Sequence, residues 1–216
     1  MADNEVLKNM NSRFSCRRFK PDAVEKEKLE AVIEAAKHAA SGHNLQAWHF
    51  TVISTEQGKK ELLEAVGPEP EQFKKLAPKG ATWPHPSDFY GAPVVIMISY
   101  DPNAPWPEAG AFLAAGNIMN AANALGLGTC CLTVFSNDVF NTEETARSKS
   151  KFIPDGYKLY VSMVLGYPAA VPAKRPDRRD DVDHMVRFLG EKVSSGEKKR
   201  QVHSGHIKRY KYTLLP

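Results

Sequence analysis

The sequence predicts a chain of the α/β or α+β class, with helices covering a mostly buried sheet. Three observations carry that prediction. Stretches with helical spacing alternate with short apolar runs along most of the 216 residues. One run, VVIMISY at 94–100, is apolar at nearly every position and bounded by Pro93 and Pro102, the pattern of a strand covered on both faces. The first strand follows about fifty residues of helical pattern, with no opening βαβ unit. The third observation argues against an N-terminal dinucleotide-binding domain, and the glycine-rich strings GxGxxG and GxxxxGK[ST] are absent.

The elements follow in order. Residues 3–11 form a short helix. Residues 24–40 form a longer one, because Leu29, Val32, Ile33, Ala36 and Ala40 recur at helical spacing on one face; Pro21-Asp22 marks its start. After the loop SGHNLQAW comes the strand HFTVIS (49–54), then a helix at 56–66 stopped by Gly67-Pro68. Residues 67–93 carry six prolines, too many for regular structure, and a long irregular segment of this kind is usually functional or mobile. Residues 94–100 are a strand. Residues 107–126 are a helix rich in Ala and Gly, ended by the GLG of 126–128. TCCLTVF (129–135) is a strand, 137–149 a helix, 157–168 a strand ended by Gly166 and Pro168, and 180–190 a short helix.

Composition narrows the class. At 42% hydrophobic and 25% charged, the chain has the make-up of an ordinary globular protein. It holds no run of the roughly 18 apolar residues that a membrane span needs. Cys16, Cys130 and Cys131 make an odd count with an adjacent pair, a poor framework for disulfides and no match to a zinc site. With a polar, acid-bearing N-terminus, this is the expectation for a cytoplasmic protein. The net charge is +4, yet residues 197–216 hold six Lys/Arg against one Glu, or +5, which leaves the rest at about −1. The expected organisation is a domain over 1–196 and a basic extension over 197–216. A basic tail suits nucleic acid or an anionic membrane surface. It equally suits a solvated or docked arm, and Tyr210, Tyr212 and the ending TLLP favour docking.

Four stretches carry candidate chemistry. In RFSCRRF (13–19), Arg13, Ser15 and Arg17 alternate, which in an extended segment puts all three on one side. Two guanidinium forks around a hydroxyl suit a phosphate or a carbonyl-rich ring edge; a solvated basic turn is the alternative. In SGHNLQAWHF (41–50), Asn44 and Gln46 are two apart and both can point the same way across an extended loop. Paired amides match the alternating acceptors and donors of an isoalloxazine edge. Trp48 anchors that loop in the core, and His43 has no partner that would make it an acid or base. GTCCLTVF (128–135) lies at a strand end, where backbone N–H groups and Thr133 can meet a ligand, although an ordinary buried strand reads the same way. In AKRPDRRDD (173–181), Lys174, Arg175, Arg178 and Arg179 form a basic loop for a phosphate or for solvent. The adjacent cysteines read as packed thiols, without a Cys-x-x-Cys spacing.

Together these stretches resemble the nitroreductase family of FMN-dependent oxidoreductases, over about residues 8–190. RFSCRRF is similar to that family's R-x-S-x-R motif and ASGHNLQAWHF to its P-S-x-x-N-x-Q-P-W loop; FYGAPVVIMI, ALGLGTC and VLGYP stand where the family has similar strings. The resemblance implies an α+β fold with a central mixed, mainly antiparallel sheet flanked by helices, and an intertwined homodimer with FMN at the subunit interface. By position, Arg13, Ser15 and Arg17, with Phe14 among them, would contact the FMN phosphate, ribityl chain or pyrimidine edge. Asn44 and Gln46 would face the flavin, Thr133 and Val134 would lie by N5, and Arg178 or Arg179 would meet the phosphate. Arg17 or a nearby amide would offset the negative charge of reduced flavin near N1 and O2. Ala40 and Ala47 stand where the family string has prolines, and Thr133-Val134 where a Gly-rich pair is common.

The activity implied is an FMN-dependent NAD(P)H oxidoreductase that reduces nitroaromatic, quinone or similar small aromatic acceptors by ping-pong hydride transfer through flavin N5. Neither a membrane nor a nucleic acid is an expected partner, and no metal is expected. Trp83, Phe89, Tyr90 and Trp106 either form a lid over the acceptor or pack in the core or dimer. The alternative class is a non-redox flavin-binding or regulatory protein with a basic tail.

Overall fold

The computed structural model describes residues 4–66, 86–132 and 151–172. Among the described residues four strands form one sheet: β1 (Trp48–Ile53), β2 (Val94–Tyr100), β3 (Gly128–Leu132) and β4 (Lys158–Gly166), in the spatial order β1-β2-β4-β3. Every ladder between them is antiparallel. Among the described residues the parallel component is a single bridge, Ser15 to Thr129, where an N-terminal segment runs beside β3. The expected fold class is therefore what is found. Of the expected strand 129–135, residues 133–135 lie outside the described region, as do the expected helices at 137–149 and 180–190 and the boundary near 196.

The helices are α1 (Glu5–Ser12), α2 (Lys26–Lys37), α3 (Glu56–Val66) and α4 (Pro107–Ala124). α1 starts where Asn4 Oδ1 accepts from the Val6 and Leu7 amides, an N-cap of ordinary kind. α2 is shorter than the 24–40 that periodicity predicts. Glu25 takes the N-cap position, but its carboxylate accepts from the Tyr167 hydroxyl rather than from the helix. α4 ends as its GLG predicts: Gly126 adopts φ +76°, and Leu127 N donates back to Ala122 O at 2.8 Å.

β2 is buried at every residue, as its uniform apolar run requires, because both faces of the sheet are covered. On one face α2 and α4 pack through Val32, Ala36, Ala111, Ala114, Ala115, Ile118 and Ala122 against Val94, Ile96, Ile98, Val161, Met163 and Leu165. The Ala-rich seam lets α4 lie close to the sheet and to α2. On the other face Leu62, Phe89, Phe152 and Ile153 close over Val95, Met97, Cys130, Leu132 and Val164. Phe89 is 1% exposed. This overturns its place in an acceptor lid: it is core, and Tyr90 packs partly buried beside it. Lys59 fastens the turn that delivers Phe89, donating to Ala92 O at 2.9 Å while paired with Glu56.

Candidate functional site

The segment after α1 behaves as its alternation predicts. Arg13 has extended φ/ψ, Ser15 bridges Thr129, and Cys16 N donates to Thr129 O at 2.9 Å. Cys16 points inward at 2% exposure, so Ser15 and Arg17 point outward and are exposed. Phe14 is half-buried. The strap continues as an antiparallel neighbour of the chain after β4: Lys20 N donates to Tyr167 O, and Ala169 N to Arg18 O.

Two glycines explain how the strap can lie this close. Gly128 and Gly166 face each other in the β3–β4 register. A Cβ on Gly128 would sit 2.7 Å from Cys16 Cβ, and one on Gly166 would sit 2.4 Å from Pro93 Cδ and 3.1 Å from Phe19. The pair makes a flat patch, filled by Cys16 and Phe19 of the strap. Neither glycine has a positive φ; both are there for close approach.

At the strap's start, α1 is tied to the end of α4 by amides. Asn9 Nδ2 donates to Asn120 O at 2.9 Å. Asn123 Nδ2 lies 2.7 Å from Asn9 Oδ1 and 2.6 Å from Ser12 Oγ. Arg13, the next residue, is thereby placed at the C-terminal end of α4.

The guanidinium groups bear on β3. Arg17 and Arg13 both favour ionisation of Cys130, and Arg13 that of Cys131, yet burial dominates and pushes both thiols up. Burial also pushes the Cys16 thiol up, and that thiol donates to Arg18 O at 3.1 Å. All three are free and protonated near neutrality. Cys130 and Cys131 are packed thiols, as expected, and Cys16 is a third; the cationic neighbours were not legible in the sequence.

The amide-bearing loop departs from the extended form that spacing suggests. Gly42–Asn44 is a 3₁₀ turn, and His43, Asn44 and Gln46 have φ of 51°, 55° and 51°. The two amides still meet: Gln46 Nε2 lies 3.3 Å from Asn44 Oδ1. Both residues are exposed. Trp48 is partly buried against the α4 face, with its ring beside Gly110.

Strap and loop are at opposite corners of the sheet. The loop enters β1, at one edge, level with Tyr100 and Lys158. The strap touches β3, at the other edge, level with Leu165. Three inter-strand steps and seven residues along β4 put them about 25 Å apart. α4 gives a second ruler: Gly42 lies against Pro105 and Trp106 at its start, and Asn9 and Ser12 against Asn123 near its end, again about 25 Å at 1.5 Å per residue. One chain does not bring the two motifs into a single cradle.

The sequence matches the nitroreductase family over residues 10–167, which takes in the strap, the loop and all four strands. The chain belongs to the nitroreductase family. It is 26% identical to the iodotyrosine deiodinase of Thermotoga neapolitana, over 82% of this chain and 93% of that protein. It is 27% identical to a putative NADH dehydrogenase/NAD(P)H nitroreductase of Archaeoglobus fulgidus, over 88% and 96%. A nitroreductase of Desulfitobacterium hafniense, solved with bound FMN, superimposes with a TM-score of 0.70 at 27% identity, covering 87% of this chain and 99% of that one.

Of the residues that the nitroreductase resemblance puts at the site, Arg13, Phe14, Ser15 and Arg17 are together on the strap and Asn44 and Gln46 on the loop. Thr133, Val134, Arg178 and Arg179 lie outside the described residues. Sequence reading missed the supports: the glycine pair, the Asn9–Asn123 tie and the ring of Trp106 on the loop. GLG and LGYP were available as signals, but that their glycines pair appears only in the register.

Proposed function

We propose that this chain is an FMN-dependent oxidoreductase that takes reducing equivalents from NAD(P)H and passes them to small aromatic acceptors such as nitroaromatics or quinones. The donor set fits that cofactor. The strap offers guanidinium groups and a hydroxyl on one side, suited to a phosphate and a carbonyl edge. The loop offers amides suited to a ring with alternating donors and acceptors. The observation that carries the reading is their diagonal separation, together with what lies between them.

Along α4 between the two motifs, Phe112 and Leu113 are 50% and 52% exposed, and a Cβ on Gly116 would meet nothing within 4 Å. Phe112 meets Tyr160 edge-on, with ring centroids 5.7 Å apart, yet it and Leu113 leave half their surface in solvent, and this half-exposed apolar stripe on the central helix supports a two-fold pairing of α4 with its copy. A two-fold axis across the helix runs the two copies antiparallel. The start of one α4 then meets the end of the other, and the loop of one chain meets the strap of its partner. The site is thus assembled from two chains, each dimer holding two.

Bound FMN supplies the hydride chemistry. The chain's residues would bind and orient it: Arg13 and Arg17 would meet anionic groups, Ser15 would donate a hydrogen bond from its hydroxyl, and Asn44 and Gln46 would hold the ring edge in register. The same cations favour added negative charge at the ring's carbonyl edge. No side-chain acid is assigned.

The test is flavin retention. Arg13→Ala with Arg17→Ala should yield folded protein without the yellow chromophore of the parent, and full occupancy in that variant would remove the site assignment. Rapid anaerobic bleaching of the parent by NADH or NADPH separates the redox reading from a flavin-storage role. The deiodinase relative supports halogenated phenols as a further acceptor class, checked by iodide release from 3-iodotyrosine.

A further inference from the structure

We propose that Trp106 is a positioning residue for the amide-bearing loop, holding Asn44 and Gln46 in their left-handed geometry from outside the loop. The proposal rests on the reading that those amides face the cofactor. The loop needs support because His43, Asn44 and Gln46, none of them glycine, all have positive φ, a conformation that raises backbone energy and persists only where surroundings over-determine it. The bonds inside the loop are local. Asn44 N donates to Ser41 O at 3.1 Å, Leu45 N to Gly42 O at 3.0 Å and Gln46 N to Ser41 Oγ at 3.0 Å. They shape the turn, while its exit is tied to the body by Ala47 O, which accepts from Asp101 N at 2.9 Å, and by the Trp48 ring beside Gly110.

The left-handed turn itself is braced by the residues just before α4. The Trp106 ring stacks on His43, with centroids 6.2 Å apart and planes 28° from parallel. The carbonyl of Pro105 approaches Gly42 so closely that a Cβ there would be 2.8 Å away. Trp106 itself is left-handed, at φ 49° and ψ 48°, in the N-cap position of α4. An indole in that position is aimed by the helix start, and the helix is fixed in the core. Trp106 is 70% exposed, so its burial does little for the core; its ordered contact is the loop. The chain also has Ala40 and Ala47 where the family string has prolines, so stiffness that a proline would supply from within must come from elsewhere.

Removing the brace lowers the fraction of molecules with the loop in its binding geometry, and apparent cofactor affinity falls in proportion. The experiment uses full-length protein and three variants. In protein freed of flavin, Trp106→Ala should speed hydrogen exchange at the Asn44, Leu45 and Gln46 amides by about tenfold, with the melting temperature near the parent's. FMN affinity, read by flavin fluorescence quenching, should fall by about the same factor. The visible circular dichroism of bound FMN should change as well. Trp106→Phe, which keeps a ring for His43, should restore most of all three.

The double variant Asn44→Ala, Gln46→Ala tests the underlying reading. If it weakens FMN while Trp106→Ala leaves exchange and affinity at parental values, the brace is refuted and the site reading stands. If it leaves FMN binding unchanged, the reading fails and the positioning role fails with it. Equal losses in Trp106→Ala and Trp106→Phe would also overturn the proposal, since a ring on His43 would then not matter.

Discussion

At the residue scale, Gly128 and Tyr100 show how single side chains, or their absence, fix the site's frame. Gly128→Ala puts a methyl carbon where Cys16 Cβ already approaches, and that Cβ can give little because the Cys16 amide is bonded to Thr129 O. The expected outcome is a displaced strap and flavin affinity lowered at least tenfold, with a loss of about 1–3 kcal/mol in stability; denaturant melts and flavin titration check both. Tyr100, 4% exposed at the end of β2, donates to Glu108 in the first turn of α4. Burial, then that hydrogen bond, pushes its hydroxyl up to about 12. The folded chain thus holds this proton more tightly than the unfolded chain, whose phenol ionises near pH 10. Its contribution is constant below about pH 10 and is lost as pH rises from about 10 to about 12. Denaturant midpoints at about pH 9 and 11 should separate more for the parent than for Tyr100→Phe.

At the element scale, the strap owes its place to elements far from it in sequence. Its alternation was legible: Arg13, Ser15 and Arg17 on one side follow from an extended backbone, which the bridge to Thr129 provides. What holds it was not. Asn123, over a hundred residues away, reaches Asn9 and Ser12 and so sets where α1 ends and Arg13 begins. Asn123→Ala should cost about 1–3 kcal/mol from the unpaired groups left behind. It should also weaken flavin binding while leaving the loop amides' exchange unchanged, because the loop is at the other end of α4. The loop failed as an extended element for a local reason. A 3₁₀ turn with three left-handed residues brings Asn44 and Gln46 together by curvature, not by a period of two.

At the scale of the whole molecule, the strap and loop belong to different corners, and the proposed site needs two copies of the chain. That makes a complementation experiment possible. Arg13→Ala/Arg17→Ala and Asn44→Ala/Gln46→Ala chains should each bind flavin poorly alone. Refolded together in equal amounts, they should form hybrids with one intact site, recovering about a quarter of the parental sites. No recovery would place both motifs in one chain's site or neither.

The sequence alone determined the alternation of helices and strands, the uniformly buried β2, and the two motifs that carry the family likeness. These depend on periodicity, composition and local residue chemistry, which are written in neighbouring residues. Tertiary structure decided that Gly128 faces Gly166, that Phe89 is core, that Trp106 stacks on His43, and that strap and loop stand about 25 Å apart. Each of those is a distance between residues remote in the chain, fixed by strand register and helix packing, which no local pattern encodes.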